Sequence, residues 1–115
     1  VGLRQLAAAL EIFAGLCEPA IPLHHAQLFL QVAATESCTY RELEEALGLS
    51  NASVSRTVTA LADQHRTGRA GLDLLEVFHD PREGRRYRVR LSPRGKKIIR
   101  QLEFALERTT TEPVP

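Results

Sequence analysis

The chain has 115 residues, of which 15 are Lys or Arg and 14 are Asp or Glu, giving a formal net charge of +1 at pH 7; 43% of it is hydrophobic. That length is expected to fit one compact domain, residues 1–115, with a modest core and little room for a second. No run is apolar enough to span a bilayer, and the first residues lack the order of a signal peptide, so a cytoplasmic protein with no membrane partner is expected.

Residues 3–17, "LRQLAAALEIFAGLC", place Leu3, Leu6, Leu10, Phe13 and Cys17 on one helical stripe. Pro19 and Pro22 interrupt it, and Pro22 can open a second helix, because a first-turn residue needs no amide hydrogen. Over 22–34, Leu23, Ala26, Gln27, Leu30 and Ala34, with Phe29 and Val32 nearby, form the expected stripe of a helix central to the core. Thr39 and Glu42 then have the spacing of a capping box. A short helix through Leu43, Ala46 and Leu47 is expected to end at Gly48, and Ser50 to cap the next helix. Residues 39–64 thus read as a helix-turn-helix joined by "GLS".

Gly68 and Gly71 end regular structure, and residues 72–92 read as a β-hairpin around the turn "PREG". In "RRYRVRLS" strict alternation predicts Tyr87, Val89 and Leu91 on a packed face, with Arg86, Arg88 and Arg90 on a cationic one. Ser92 caps a final helix with Pro93 in its first position and Ile98, Ile99, Leu102, Ala105 and Leu106 inward; "TTTEPVP" reads as a frayed tail. The order is helix, helix, helix-turn-helix, hairpin, helix. This is a mainly α winged helix-turn-helix with a small β-hairpin.

The second helix of the pair, "NASVSRTVTAL", carries no acid from Ser50 to Ala62. Short hydroxyl and amide side chains suit a surface that meets base edges and phosphates, which repel carboxylates. Asn51, Ser53, Ser55 and Thr57 are therefore candidates to donate to bases or phosphates, Asn51 has the groups to read adenine, and Arg56 those to read guanine; the other reading is that Ser and Thr merely tolerate a surface helix or bond back to the preceding turn. In the hairpin, Arg82 and Arg85 flank a tip able to reach a minor groove, and Asp80 is placed either to hold the Arg82 guanidinium or simply to form the turn before Pro81. Arg86, Arg88 and Arg90 either track phosphate or keep an exposed strand soluble. From Arg82 to Arg100 nine cations face the lone acid Glu83. Such a field favours double-stranded DNA or, alternatively, an acidic protein partner; equally, it reads as a solvated charged face paired with Glu42, Glu44, Glu45 and other acids of the chain.

Cys17 and Cys38 lack the spacing of a metal knuckle or a disulfide framework and read as inert buried thiols. A thiol-based redox regulator is the remaining reading of them. His24, His25, His65 and His79 are scattered, so no metal site and no cofactor are expected. No nucleophile with a paired base and no phosphate-cradling glycine loop occurs, which argues against an enzyme.

From about Leu23 to Leu102 the chain resembles the MarR family of winged-helix transcription regulators. The residues that carry the resemblance are "AQLFLQVA", "TYRELEEALGLSNASVSRTVTAL" and "DPREGRRYRVRLSPRGKKIIRQL". It implies a homodimeric regulator, by expectation a repressor, with Asn51, Ser53, Ser55, Arg56 and Thr57 in the major groove and Asp80 with Arg82 at the wing. It also implies dimerisation through the terminal helices, 1–17 and 92–109, for which Leu3, Leu6, Leu10, Phe13, Ile99, Leu102 and Leu106 are apolar enough, the other reading of the same residues being ordinary intramolecular core. Many family members bind a small-molecule effector near that interface; nothing in this sequence indicates one. Two departures stand out. "HRTGRAG" lengthens the connection before the wing and adds Arg66 and Arg69, resembling MarR-like proteins of phages and mobile elements. The extra C-terminal helix of many members is expected to be missing.

Overall fold

A computed structural model describes residues 2–62, 71–82, 84 and 86–107. Arg85, and Arg66 and Arg69 in the connection after the second helix of the pair, lie outside the described residues. In chain order the elements are α1 (Leu3–Ala14), α2 (Leu23–Ala33), β1 (Cys38–Thr39), α3 (Tyr40–Leu47), α4 (Asn51–Leu61), β2 (Leu75–His79), β3 (Tyr87–Leu91) and α5 (Pro93–Glu107). The strands form an antiparallel sheet in the order β1-β3-β2, with Cys38 opposite Val89 and Val77 opposite the same residue from the other side. No described helix is long and apolar enough to cross a membrane.

The core gathers around α2, which packs against α3, α4 and β3. Leu28, Phe29 and Val32 are fully buried there with Leu43, Val54, Val58, Leu61, Leu75 and Val89. This corrects the expected stripe of α2: Ala26, Leu28, Phe29 and Val32 face inward, whereas Leu23, Gln27 and Leu30 are exposed. The helix carries apolar residues on two sides, and only its neighbours decide which side is covered. Pro22 stands just before α2 as its cap residue, not within its first turn.

Helix α1 ends at Ala14, short of Cys17, and lies along α5. Its Phe13 is buried and meets Phe29 edge to face with centroids 6.0 Å apart, tying the helix to the core. The other expected members of the stripe stay outside: Leu3 is 85% exposed, and Leu6 and Leu10 are about half exposed.

Ser92 locks the wing to α5. Its hydroxyl accepts the Gly95 amide at 2.9 Å and donates to Asp73 O at 2.6 Å, while its own amide donates to Leu74 O at 3.0 Å. The first turn of α5 comes so close to the chain before β2 that a Cβ at position 95 would stand 2.1 Å from Leu74 O. Only glycine fits there. Downstream, Ile98 and Leu102 are buried, Ile99 and Leu106 are half-buried against the core, and Phe104 is 62% exposed.

Candidate nucleic-acid interface

The two helices of the motif are set by local hydrogen bonds. Thr39 Oγ1 accepts the Glu42 amide at 3.1 Å and the Thr39 amide donates to Glu42 Oε1 at 2.7 Å, the full capping box. That amide holds the Glu42 carboxyl below the usual carboxylate range, with smaller help from the Thr39 hydroxyl, Arg88 and Arg86 against a modest burial cost. Gly48 ends α3 at φ +66°, a left-handed conformation that costs glycine little. Ser50 then caps α4 by accepting the Ser53 amide at 3.1 Å.

Helix α4 buries Val54, Thr57, Val58 and Leu61 and leaves Asn51, Ala52 and Arg56 exposed, with Ser53 and Ser55 half-buried. Thr57 departs from the expected open face: it is 1% exposed, and its hydroxyl donates to Ser53 O at 2.8 Å. Thr59 bonds back to Ser55 O in the same way. Two of the small hydroxyl side chains therefore satisfy themselves on their own helix. Arg56 has no ion-pair partner among the described residues. Asn51 has a partner that sequence spacing does not announce: its side-chain amide donates to Glu44 Oε2 at 2.9 Å across the turn.

The wing holds two corrections. Asp80 grips Arg82 through the backbone, accepting its amide at 2.8 Å, and the guanidinium 3.5 Å from Asp80 Oδ2 is that of Arg88. Arg88 is therefore part of the frame: Nε donates to Ser37 Oγ at 2.9 Å, a second nitrogen reaches Ser37 O at 3.3 Å, and Glu42 lies 3.9 Å away. Its side chain is 25% exposed. Arg90 is paired with Glu76 at 3.0 Å and lies over the Phe78 ring at 4.4 Å. Acids thus neutralise much of the cationic strand. Tyr87, expected on the packed face, is half exposed instead; it pairs with His79 at the end of the hairpin, beyond the core, with ring centroids 4.5 Å apart. Arg82 and Arg86 are exposed on the side chains that flank the tip.

Two further features bear on partners and chemistry. Cys38 is buried in β1, and burial pushes its thiol up, the reverse of what a reactive thiolate needs. Between α1 and α5 runs a groove of about 800 Å³ lined by Ile12, Phe104 and Ala105 with Arg4, Lys97 and Arg100 at its polar side. Phe104, the one aromatic of α5, and the partner roles of Glu44, Ser37 and Glu76 are what sequence reasoning missed. Each takes its place only through the tertiary fold.

Two helices joined at a glycine turn, a β-hairpin wing and a short strand that completes its sheet define a winged helix-turn-helix protein. The chain has the fold of the MarR-family transcription regulators. It is similar to Rv1404 from Mycobacterium tuberculosis, at 17% identity and a TM-score of 0.73 over 96% of this chain and 73% of that one. It is similar to S. aureus MepR, solved as a DNA complex, at 17% identity and a TM-score of 0.68 over 90% of this chain and 73% of that one. A cysteine-to-serine variant of E. coli MarR, solved with operator DNA, superposes at 16% identity and a TM-score of 0.63 over 92% of this chain and 70% of that one. No family model matches the chain, and no curated protein does.

Proposed function

We propose that the chain is a sequence-specific, double-stranded DNA-binding transcriptional regulator that acts as a homodimer. The observation that carries this reading is the open face of α4, which is free of acids and bears an exposed Arg56 with no ion-pair partner among the described residues. The fold likeness to MarR and MepR, both solved with DNA, supports it.

In this reading α4 enters the major groove, where Arg56 pairs with a guanine and Asn51 with an adenine, while Ser53 and Ser55 meet phosphate or base edges. Arg82 and Arg85 approach the neighbouring minor groove, and Arg86 a phosphate. Thr57 and Arg88 leave the list of contacts and become supports, and Asp80 holds the tip in shape. Leu3, Leu6, Leu10 and Phe104 supply exposed apolar surface for a second copy, whereas Phe13 and Leu102 serve the core of one. Occupation of a promoter duplex by such a dimer blocks it, so repression is the proposed sense of regulation.

The test is duplex binding followed by fluorescence anisotropy over a range of salt. Affinity should fall linearly with the logarithm of salt, and Arg56→Ala should lose discrimination of about 1–3 kcal/mol at one base position. Arg86→Ala should weaken all duplexes alike and reduce the salt slope by about one. Absence of duplex binding at moderate salt would transfer the cationic wing to an acidic protein partner.

A further inference from the structure

Glu44 stands on α3, outside the recognition helix, yet its Oε2 accepts the 2.9 Å hydrogen bond from the Asn51 side chain. The position is well braced, because Glu44 O accepts both the Gly48 amide and, at 3.2 Å, the Leu49 amide at the turn. Glu44 is half-buried, and Asn51 is exposed as the first residue of α4. The N-terminal residues of a recognition helix are the ones that reach base edges.

An ionised carboxylate accepts hydrogen bonds and donates none, so it fixes which end of the Asn51 amide it faces. The reversed amide would set two acceptors against each other. With one amide hydrogen given to Glu44, Asn51 retains one N–H and its carbonyl oxygen. Adenine offers the matching pair in the major groove, an acceptor at N7 and a donor at N6. A negative charge beside phosphate weakens binding to every sequence, whereas the orientation it imposes favours one base.

We infer that Glu44 is a positioning residue for base recognition, holding the Asn51 amide in the orientation that selects adenine at one base pair. This rests on the DNA-binding reading above. Glu44→Gln is the informative change, since a carboxamide keeps the shape, removes the charge and tolerates either orientation of Asn51.

The experiment takes a duplex recovered by the wild-type protein from a randomised pool, together with its single-base variants. Affinities are measured for the wild type, Glu44→Gln, Asn51→Ala and the double variant, with circular dichroism to verify folding. Asn51→Ala should cost about tenfold in preference for adenine at one position. Glu44→Gln should lose about threefold or more of the preference at that same position while binding the other duplexes at least as tightly as the wild type. In the Asn51→Ala background it should change no base preference. The inference is overturned if Glu44→Gln keeps the full preference, if it weakens all duplexes equally, or if its effect persists without Asn51. Failure of the wild type to enrich any duplex would overturn the DNA-binding reading itself, and the role of Glu44 with it.

Discussion

Arg88 and Asp80 form an ion pair of 3.5 Å where β2 passes into the tip of the wing, and the same guanidinium donates to Ser37 Oγ at 2.9 Å in the segment before β1. One side chain thus ties together the hairpin, the loop after α2 and, through Glu42, the helix-turn-helix. A planar guanidinium spreads five donors over three nitrogens and so reaches such divergent partners, whereas a lysine has its three donors on one nitrogen.

Arg88→Ala should therefore destabilise the fold by about 1.5–3 kcal/mol, the range for hydrogen bonds to a charged group. Urea denaturation measures this. Arg88→Lys should recover only part of the loss. Duplex affinity should fall with the geometry of the wing, but the salt slope should stay at the wild-type value, because no phosphate contact is removed. A slope reduced by about one would return Arg88 to the phosphate contacts.

Gly95→Ala tests the close approach of α5 to the chain before β2. The new methyl group would meet Leu74 O at 2.1 Å, and backbone cannot move aside as a flexible side chain can. A loss of about 1–3 kcal/mol is expected, as for overpacking elsewhere. Gly84→Ala is the control, since a Cβ there meets nothing within 4 Å.

Features legible in the sequence were those decided over three or four residues. Thr39 with Glu42, Gly48, Ser50, and Ser92 with Pro93 each announce a helix end, because capping is a contact between near neighbours. The winged-helix order follows from these ends and from the alternation in β3. The inward face of α2 was not legible, since both of its sides are apolar and the choice lies with α3, α4 and β3. Strand β1 is only two residues long and exists through its pairing with β3. The partners of Arg88 and Asn51 were hidden for the same reason: Ser37 and Glu44 become neighbours only when the chain has folded. Candidate base contacts could be named, but not which of them the fold had already engaged, as it has Thr57.

Acid should reveal the capping box. The carboxyl of Glu42 ionises more readily in the folded chain, so its contribution is complete above the ordinary carboxylate range and is lost as pH falls through the lowered folded value. Wild-type stability should accordingly decline relative to Glu42→Gln below about pH 5, while the two run in parallel near neutrality. Denaturation midpoints collected across that range check the sign. A difference that stays constant with pH would assign the cap no electrostatic part.

The exposed face of α1 bears on assembly. Leu6→Glu with Leu10→Glu should convert a dimer to a monomer in sedimentation while leaving the helical circular dichroism intact, since both side chains lie outside the core. Phe13→Glu should instead unfold the chain, because it removes the contact with Phe29 and buries a charge. Wild-type protein that sediments as a monomer at all accessible concentrations would contradict the assembly proposed for the α1/α5 surface.

The most direct measurement of the central claim is selection of duplexes from a randomised DNA pool at physiological salt, followed by sequencing. A dimeric regulator should enrich an inverted repeat with half-sites about one helical turn, roughly 10 base pairs, apart, the spacing of two recognition helices on one face of the duplex. Recovery of no motif, or of no bound DNA, would contradict a role in sequence-specific regulation.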